Sequence, residues 1–175
     1  LFMEEEDLHV NILIDDSPSM AFGDPTKLLA SKRLAAALAY IGLVRGDRIA
    51  LASFNQINQR IFRGRGNTFA LLSYLQQIQS SVHDGSSNQF IDKNQLTMAA
   101  KSFIMRSPGR GIFILISDLL DKQGWEPALR LLTARDLDVF LIHVLSPEEL
   151  DPNVAGDLKL IDCEDGESRE ISVTG

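Results

Sequence analysis

Cysteine is almost absent from this chain: Cys163 stands alone among 175 residues. A single cysteine rules out an intramolecular disulfide, and neither a CxxC pair nor a Cys/His cluster at zinc-ligand spacing occurs. A reducing, cytoplasmic setting is the expectation. Positive charge is also short, with 17 Lys and Arg against 24 Asp and Glu, a formal charge of −7 and a pI near 4.9. That balance opposes the phosphate neutralisation on which nucleic-acid binding depends, and Arg60, Arg63 and Arg65 form no long basic stripe. It argues against nucleic acid and anionic membrane surfaces as partners. Long apolar runs are missing too. Ala35–Val44 and Ile112–Ile116 fall far short of the roughly 20 residues a membrane-spanning helix requires, so no membrane contact is expected from this stretch. The chain opens on Leu1 and shows no basic segment followed by an apolar run, which reads as a fragment of a longer chain without a secretion signal.

The motifs that prepare common enzyme chemistry are lacking as well. There is no GxSxG elbow for a nucleophilic serine, no Walker phosphate loop, and no GxGxxG after the first strand.

What is present is a 45% hydrophobic composition, enough for one ordinary core, so residues 1–175 read as a single domain. Leu8–Ile14 is a short, β-branched apolar run that predicts a buried strand ending at Asp15. Asp24-Pro25 predicts a cap and a first helical residue, followed by Leu28, Leu34, Ala35, Leu38 and Ile41 at helical spacing, with Gly46 as the stop. Arg48–Phe54 and Gln59–Arg63 read as an antiparallel hairpin, because the connection between them is too short for a parallel crossover. Asn67-Thr68 is a plausible cap for a helix carrying Leu71, Leu72, Leu75 and Ile78. The polar segment Ser80–Lys93 is long for a connection within a compact domain, and a loop of that length is more often functional or mobile than a simple connection.

Asn94–Met105 predicts a third helix, and Gly111–Ser117 is the clearest buried strand, ending at Asp118. A helix near Trp125–Ala134, a strand over Asp138–Leu145, a turn at Ser146-Pro147 and a final pair, Leu158–Asp162 and Ser168–Val173, complete the pattern. Strands alternating with helices predict an α/β fold: a doubly wound, mostly parallel, Rossmann-like sheet flanked by helices, with antiparallel hairpins at its edges.

Ligands of such sheets bind beyond the carboxyl ends of the strands. That rule directs attention to Asp15-Asp16-Ser17-Pro18-Ser19-Met20 after the first strand and to Ser117-Asp118 after the strong central one. Two hydroxyls at alternate positions beside carboxylates are the hard, oxygen-only donors that Mg²⁺ or Mn²⁺ prefers.

At this point a resemblance becomes specific. Asp15-x-Ser17-x-Ser19-Met20 after an apolar strand resembles the metal-ion-dependent adhesion site (MIDAS) of von Willebrand factor A domains. The likeness extends through the Lys27–Asp47 helix and GDRIALASF, the strand-terminal Ser117-Asp118, and the tail LIHVLSPEELDP with GDLKLIDCEDGESREI. This longer pattern is similar to one uncharacterised bacterial family of von Willebrand A proteins, a domain of unknown function whose genes often accompany MoxR-type AAA+ ATPases. The resemblance implies a protein-binding module and no enzyme. It also implies that Asp15, Ser17 and Ser19 form a first metal loop, that Asp118 adds a carboxylate, often through water, and that a middle-helix residue completes the site. The family has a threonine there; Asn94 stands in its place, and Ser86 or Ser87 would be substitutes if the loop folds inward. An acidic residue of a partner protein, a MoxR-type ATPase among the candidates, would then complete the coordination.

Plainer readings stand beside these. Ser and Asp after a strand also make ordinary turns and caps, Asp118 among them. Arg45-Gly46-Asp47 coincides with a helix stop and reads as structural. His9 and His143 fall in strands, where a hydrogen-bonded histidine is commoner than a catalytic one, and His83 lies in the long loop. Trp125, Phe54, Phe113 and Phe140 fit a core or helix face. Two rival functions remain. One is a metal-independent scaffold. The other is a haloacid-dehalogenase-like phosphatase, whose DxDx[TV] pattern is broken by Ser17 at the position of its general acid.

Overall fold

The structure, a computed structural model, describes residues 8–56, 59–80, 95–106, 110–121, 124–135, 137–152, 156–162 and 168–173. Five strands form the main sheet: β1 (His9–Ile14), β2 (Arg48–Ser53), β3 (Arg60–Arg63), β4 (Gly111–Ser117) and β5 (Leu137–His143), in the order β3-β2-β1-β4-β5. All pairings are parallel except β2 with β3, the predicted hairpin at the sheet's edge. The helices are α1 (Lys27–Arg45), α2 (Thr68–Gln77), α3 (Gln95–Arg106), α4 (Glu126–Thr133) and the single turn α5 (Pro147–Leu150). No helix among the described residues is long and apolar enough to cross a membrane.

The period-two alternation of the central strands sorts the core into two layers. Val10, Ile12, Ile14, Ile49, Leu51, Ile114 and Ile116 meet the α1 residues Ala35, Ala39 and Leu43 and the α2 residues Leu71 and Leu75. Leu13, Ala50, Ala52, Phe113 and Leu115 face the other way, onto Leu96, Ala100 and Phe103 of α3 and Ala128 and Leu132 of α4. Because both faces are covered, β1 and β4 read as predominantly apolar runs, the buried Asn11 of β1 donating its side-chain amide to the Ile112 carbonyl, which is why they were legible in the sequence.

Several expectations are corrected. The cap of α1 is Thr26, whose side chain accepts the Leu29 amide at 3.2 Å, and Asp24-Pro25 lies in the approach to the helix. Asn67 precedes α2 but does not cap it; its side-chain amide donates to the Arg63 carbonyl at 2.7 Å. The last two strands, β6 (Gly156–Ile161) and β7 (Ser168–Val173), pair antiparallel as a separate two-stranded sheet and do not extend the main one. The two strands pair with each other through six residue pairs, and neither is hydrogen-bonded to β5, the edge strand of the main sheet among the described residues. That edge strand turns Phe140 outward at 54% exposure, against the expectation of a core or helix-face position. Trp125, directly before α4, is 41% exposed, whereas Phe54 and Phe113 are buried.

Gly46 ends α1 in the left-handed conformation, φ 92°, and Asp47 turns its amide back to the Gly42 carbonyl at 2.9 Å, so the Arg45-Gly46-Asp47 tripeptide is a helix stop. Gly111 has a different reason. A Cβ there would press into the backbone carbonyl of His9 on the neighbouring strand, well inside van der Waals contact. Gly111→Ala is therefore expected to part β1 from β4 at their amino ends and to cost about 2–3 kcal/mol, in the range for overpacking. Urea unfolding would read this as a lower midpoint at unchanged slope.

Candidate functional site at the carboxyl edge of β1 and β4

The strand order reverses at β1: the chain moves from β1 to β2 on one side and returns to β4 on the other. In open α/β sheets the crevice at such a reversal is where ligands bind. Asp15 and Ser117-Asp118 leave their strands here side by side, with Ile14 opposite Ile116 and the Asp15 amide on the Ile116 carbonyl at 2.9 Å. Ser17 begins a short 3₁₀ turn, Pro18–Ala21, which carries Ser19 back toward it. The structure thus brings Asp15, Ser17, Ser19 and Asp118 to one place. Asn94, and all of Ser80–Lys93 but Ser80, lie outside the described residues, Ser86, Ser87 and His83 included. Ser80 itself donates to the Ser17 carbonyl at 2.8 Å.

The four side chains are nearly closed from solvent, at 9% exposure or less. Asp15 uses both oxygens: one accepts the Ser17 amide at 2.9 Å and the other the Ser117 hydroxyl at 2.5 Å. Burial pushes its carboxyl up to about 7; the hydrogen bonds from Ser117 and Ser17 pull the other way, and the neighbouring Asp118 charge adds to the rise. Asp16 joins the ends of β1 and β2, its carboxylate accepting the Asn55 amide at 3.1 Å. Its carboxyl is also raised by burial.

Asp118 is held by a residue that sequence reasoning passed over. Lys27, the first residue of α1, is buried and donates to Asp118 Oδ2 at 2.7 Å and to Glu149 Oε1 at 2.6 Å. Burial alone would lower the Lys27 ammonium, but the two carboxylates outweigh it and hold it above its ordinary value. Glu149 belongs to α5, where it forms a reciprocal capping box with Ser146. Asp118 Oδ1 accepts the Leu120 amide at 3.2 Å, so the plain turn-forming role also holds. His143, at the end of β5, bonds through Nε2 to the Asp118 carbonyl at 3.1 Å, the hydrogen-bonded edge histidine foreseen for a strand. A lysine opening an amphipathic helix carries no sign that it turns inward. The Ser146-x-x-Glu149 spacing did carry the signature of a capped turn.

These donors suit a small, hard cation. Ser17 Oγ and Ser19 Oγ are hydrogen-bonded at 3.1 Å, a spacing also close to the roughly 3.0 Å between neighbouring oxygens of an octahedron with metal–oxygen bonds of about 2.1 Å. All the donors are oxygen. Among the described residues no three His, Cys, Asp or Glu side chains converge as a metal-holding group, so a cation here would rest on hydroxyls with few carboxylates.

Comparison with known proteins gives the chain's relatives. Three mycobacterial proteins, Mb1516 of Mycobacterium bovis and MT1527 and Rv1480 of Mycobacterium tuberculosis, are each 25% identical over 97% of the chain and 52% of their own length. The chain therefore spans about half the length of these curated relatives. Among solved structures, BatB from Bacteroides thetaiotaomicron shares the fold, with a TM-score of 0.54 at 20% identity over 93% of this chain and 75% of that one. An aerotolerance-related membrane protein from Bacteroides fragilis is more distant, with a TM-score of 0.47 at 18% identity over 94% of this chain and 81% of that one. The family described as "Protein of unknown function DUF58" matches residues 1–174, and the chain belongs to it.

Proposed function

We propose that this domain is a protein-binding module of the von Willebrand A type, whose adhesion site is the cluster of Asp15, Ser17, Ser19 and Asp118. The observation that carries the reading is the 3.1 Å contact of the two serine hydroxyls beside the buried Asp15, whose carboxyl also feels the charge of the buried Asp118, at the reversal point of the sheet. Mg²⁺ or Mn²⁺ is the cation that fits, with Asn94, standing where the family has a threonine, as the further ligand through its side-chain carbonyl. Such an ion, resting on neutral hydroxyls, would keep residual charge and an open position for an acidic side chain of the partner.

Binding, not catalysis, is the role these contacts support. In a haloacid-dehalogenase-type reaction Asp15 would be the nucleophile and position 17 would hold the general acid, which Ser17 cannot supply. The proposed partner is a MoxR-type AAA+ ATPase, on the family resemblance. Biolayer interferometry of the purified ATPase against the immobilised domain tests this. Binding in Mg²⁺ that falls at least about ten-fold in EDTA and in Ser17→Ala is expected for a metal-bridged carboxylate. Binding indifferent to EDTA would favour the metal-independent scaffold, and no binding would remove the ATPase as partner.

A further inference from the structure

The position of Lys27 runs against its local electrostatics. A helix amino terminus carries partial positive charge and favours acidic residues, yet α1 opens on a buried lysine and has no acidic residue in its first turn. Its ammonium is taken up by two carboxylates from distant parts of the chain, Asp118 after β4 and Glu149 in α5. Asp118 belongs to the proposed metal cluster. Glu149 does not: its second oxygen accepts the Ser146 amide and closes the cap of α5.

We infer that Lys27 is the affinity-setting residue of the site, a tethered cation that holds part of the charge a divalent ion would otherwise neutralise, with Glu149 tuning how much of it falls on Asp118. This rests on the metal-site reading above. A dication and an ammonium that share Asp118 repel each other, and in a site this closed the repulsion is weakly screened. Removing the ammonium favours the dication. Removing Glu149 leaves the ammonium to Asp118 alone and disfavours it. The two substitutions therefore move affinity in opposite directions, which a residue serving only to support the fold would not do.

The test is calorimetric titration with Mn²⁺ of the native domain, Lys27→Met and Glu149→Gln, with circular dichroism confirming that each is folded. Lys27→Met is expected to bind about ten-fold or more tightly than native, and Glu149→Gln several-fold more weakly, in keeping with charge–charge effects at reduced dielectric. Tight binding by Lys27→Met alone supports the inference in its strongest form. Native binding that is unchanged in both variants, or shifted in the same direction in both, overturns it while leaving the metal site standing. Should Lys27→Met not fold, Glu149→Gln decides: equal or tighter binding overturns the inference. If none of the three proteins binds Mn²⁺, the metal-site reading fails and this inference with it.

Discussion

Asp15→Asn is expected to stabilise the metal-free domain at pH 8 by about 2–4 kcal/mol while abolishing divalent-ion binding. The wild-type carboxyl has been pushed to about 7 by burial. In the unfolded chain it loses its proton near the ordinary aspartate value. Between those two pH values the folded state holds the extra proton, so stability falls as pH rises from about 4 to about 7 and is flat on either side. The full span of about three pH units corresponds to about 4 kcal/mol. Asparagine keeps an oxygen to accept the Ser17 amide and an amide to meet Ser117, while removing the buried charge. Urea unfolding of both proteins from pH 4 to pH 8 checks this. The wild type should lose stability over that window, and the variant should lose much less. A metal that needs the ionised form will expel the proton, so apparent metal affinity should rise with pH up to about 7 and then level.

Lys27→Met is expected to be the most destabilising single change near the site, at about 3–5 kcal/mol in the absence of metal. The Lys27 and Asp118 side chains are each 1% exposed, and removing one partner of a buried pair leaves the other as an uncompensated charge. Asp118 would keep the Leu120 amide on Oδ1 and lose the ammonium on Oδ2. The Glu149 side chain, at 24% exposure, can recover some hydration, so Glu149→Gln should cost much less, on the order of 1 kcal/mol. Thermal unfolding of the two variants at pH 7.5 would show the difference. Equal losses would mean that the ammonium is not the centre of the triad.

How much of this was readable beforehand depended on the kind of signal. Buried strands announce themselves as apolar runs, and β1 and β4 fell within a residue of the expected bounds because both of their faces are covered. The side-by-side placement of Asp15 and Asp118 followed from the ordinary strand order of doubly wound sheets, which this sheet obeys. Gly46 stopped α1 where expected, for want of any other residue that enters the left-handed region so cheaply. What the sequence did not disclose was non-local. Lys27 meets a residue 91 positions away and another 122 positions away, and no helical periodicity encodes such a pairing. The company of β6 and β7 was hidden for a similar reason, since a hairpin's alternation fixes its own register but not the sheet it joins. The start of α1 was misread because Asp24-Pro25 and Thr26 offer competing local signals, and the one Thr26 hydrogen bond decides between them.

The central claim, that the β1–β4 edge binds a divalent ion through Asp15, Ser17, Ser19 and Asp118, meets its most direct test in calorimetric titration of the purified domain with Mg²⁺ and Mn²⁺ at pH 8. An Asp15→Ala, Ser17→Ala double variant run alongside accounts for unspecific association with an acidic protein. Saturable binding of one ion per domain that vanishes in the double variant is the predicted result. Heats that do not saturate at millimolar metal, or that persist unchanged in the double variant, would contradict it.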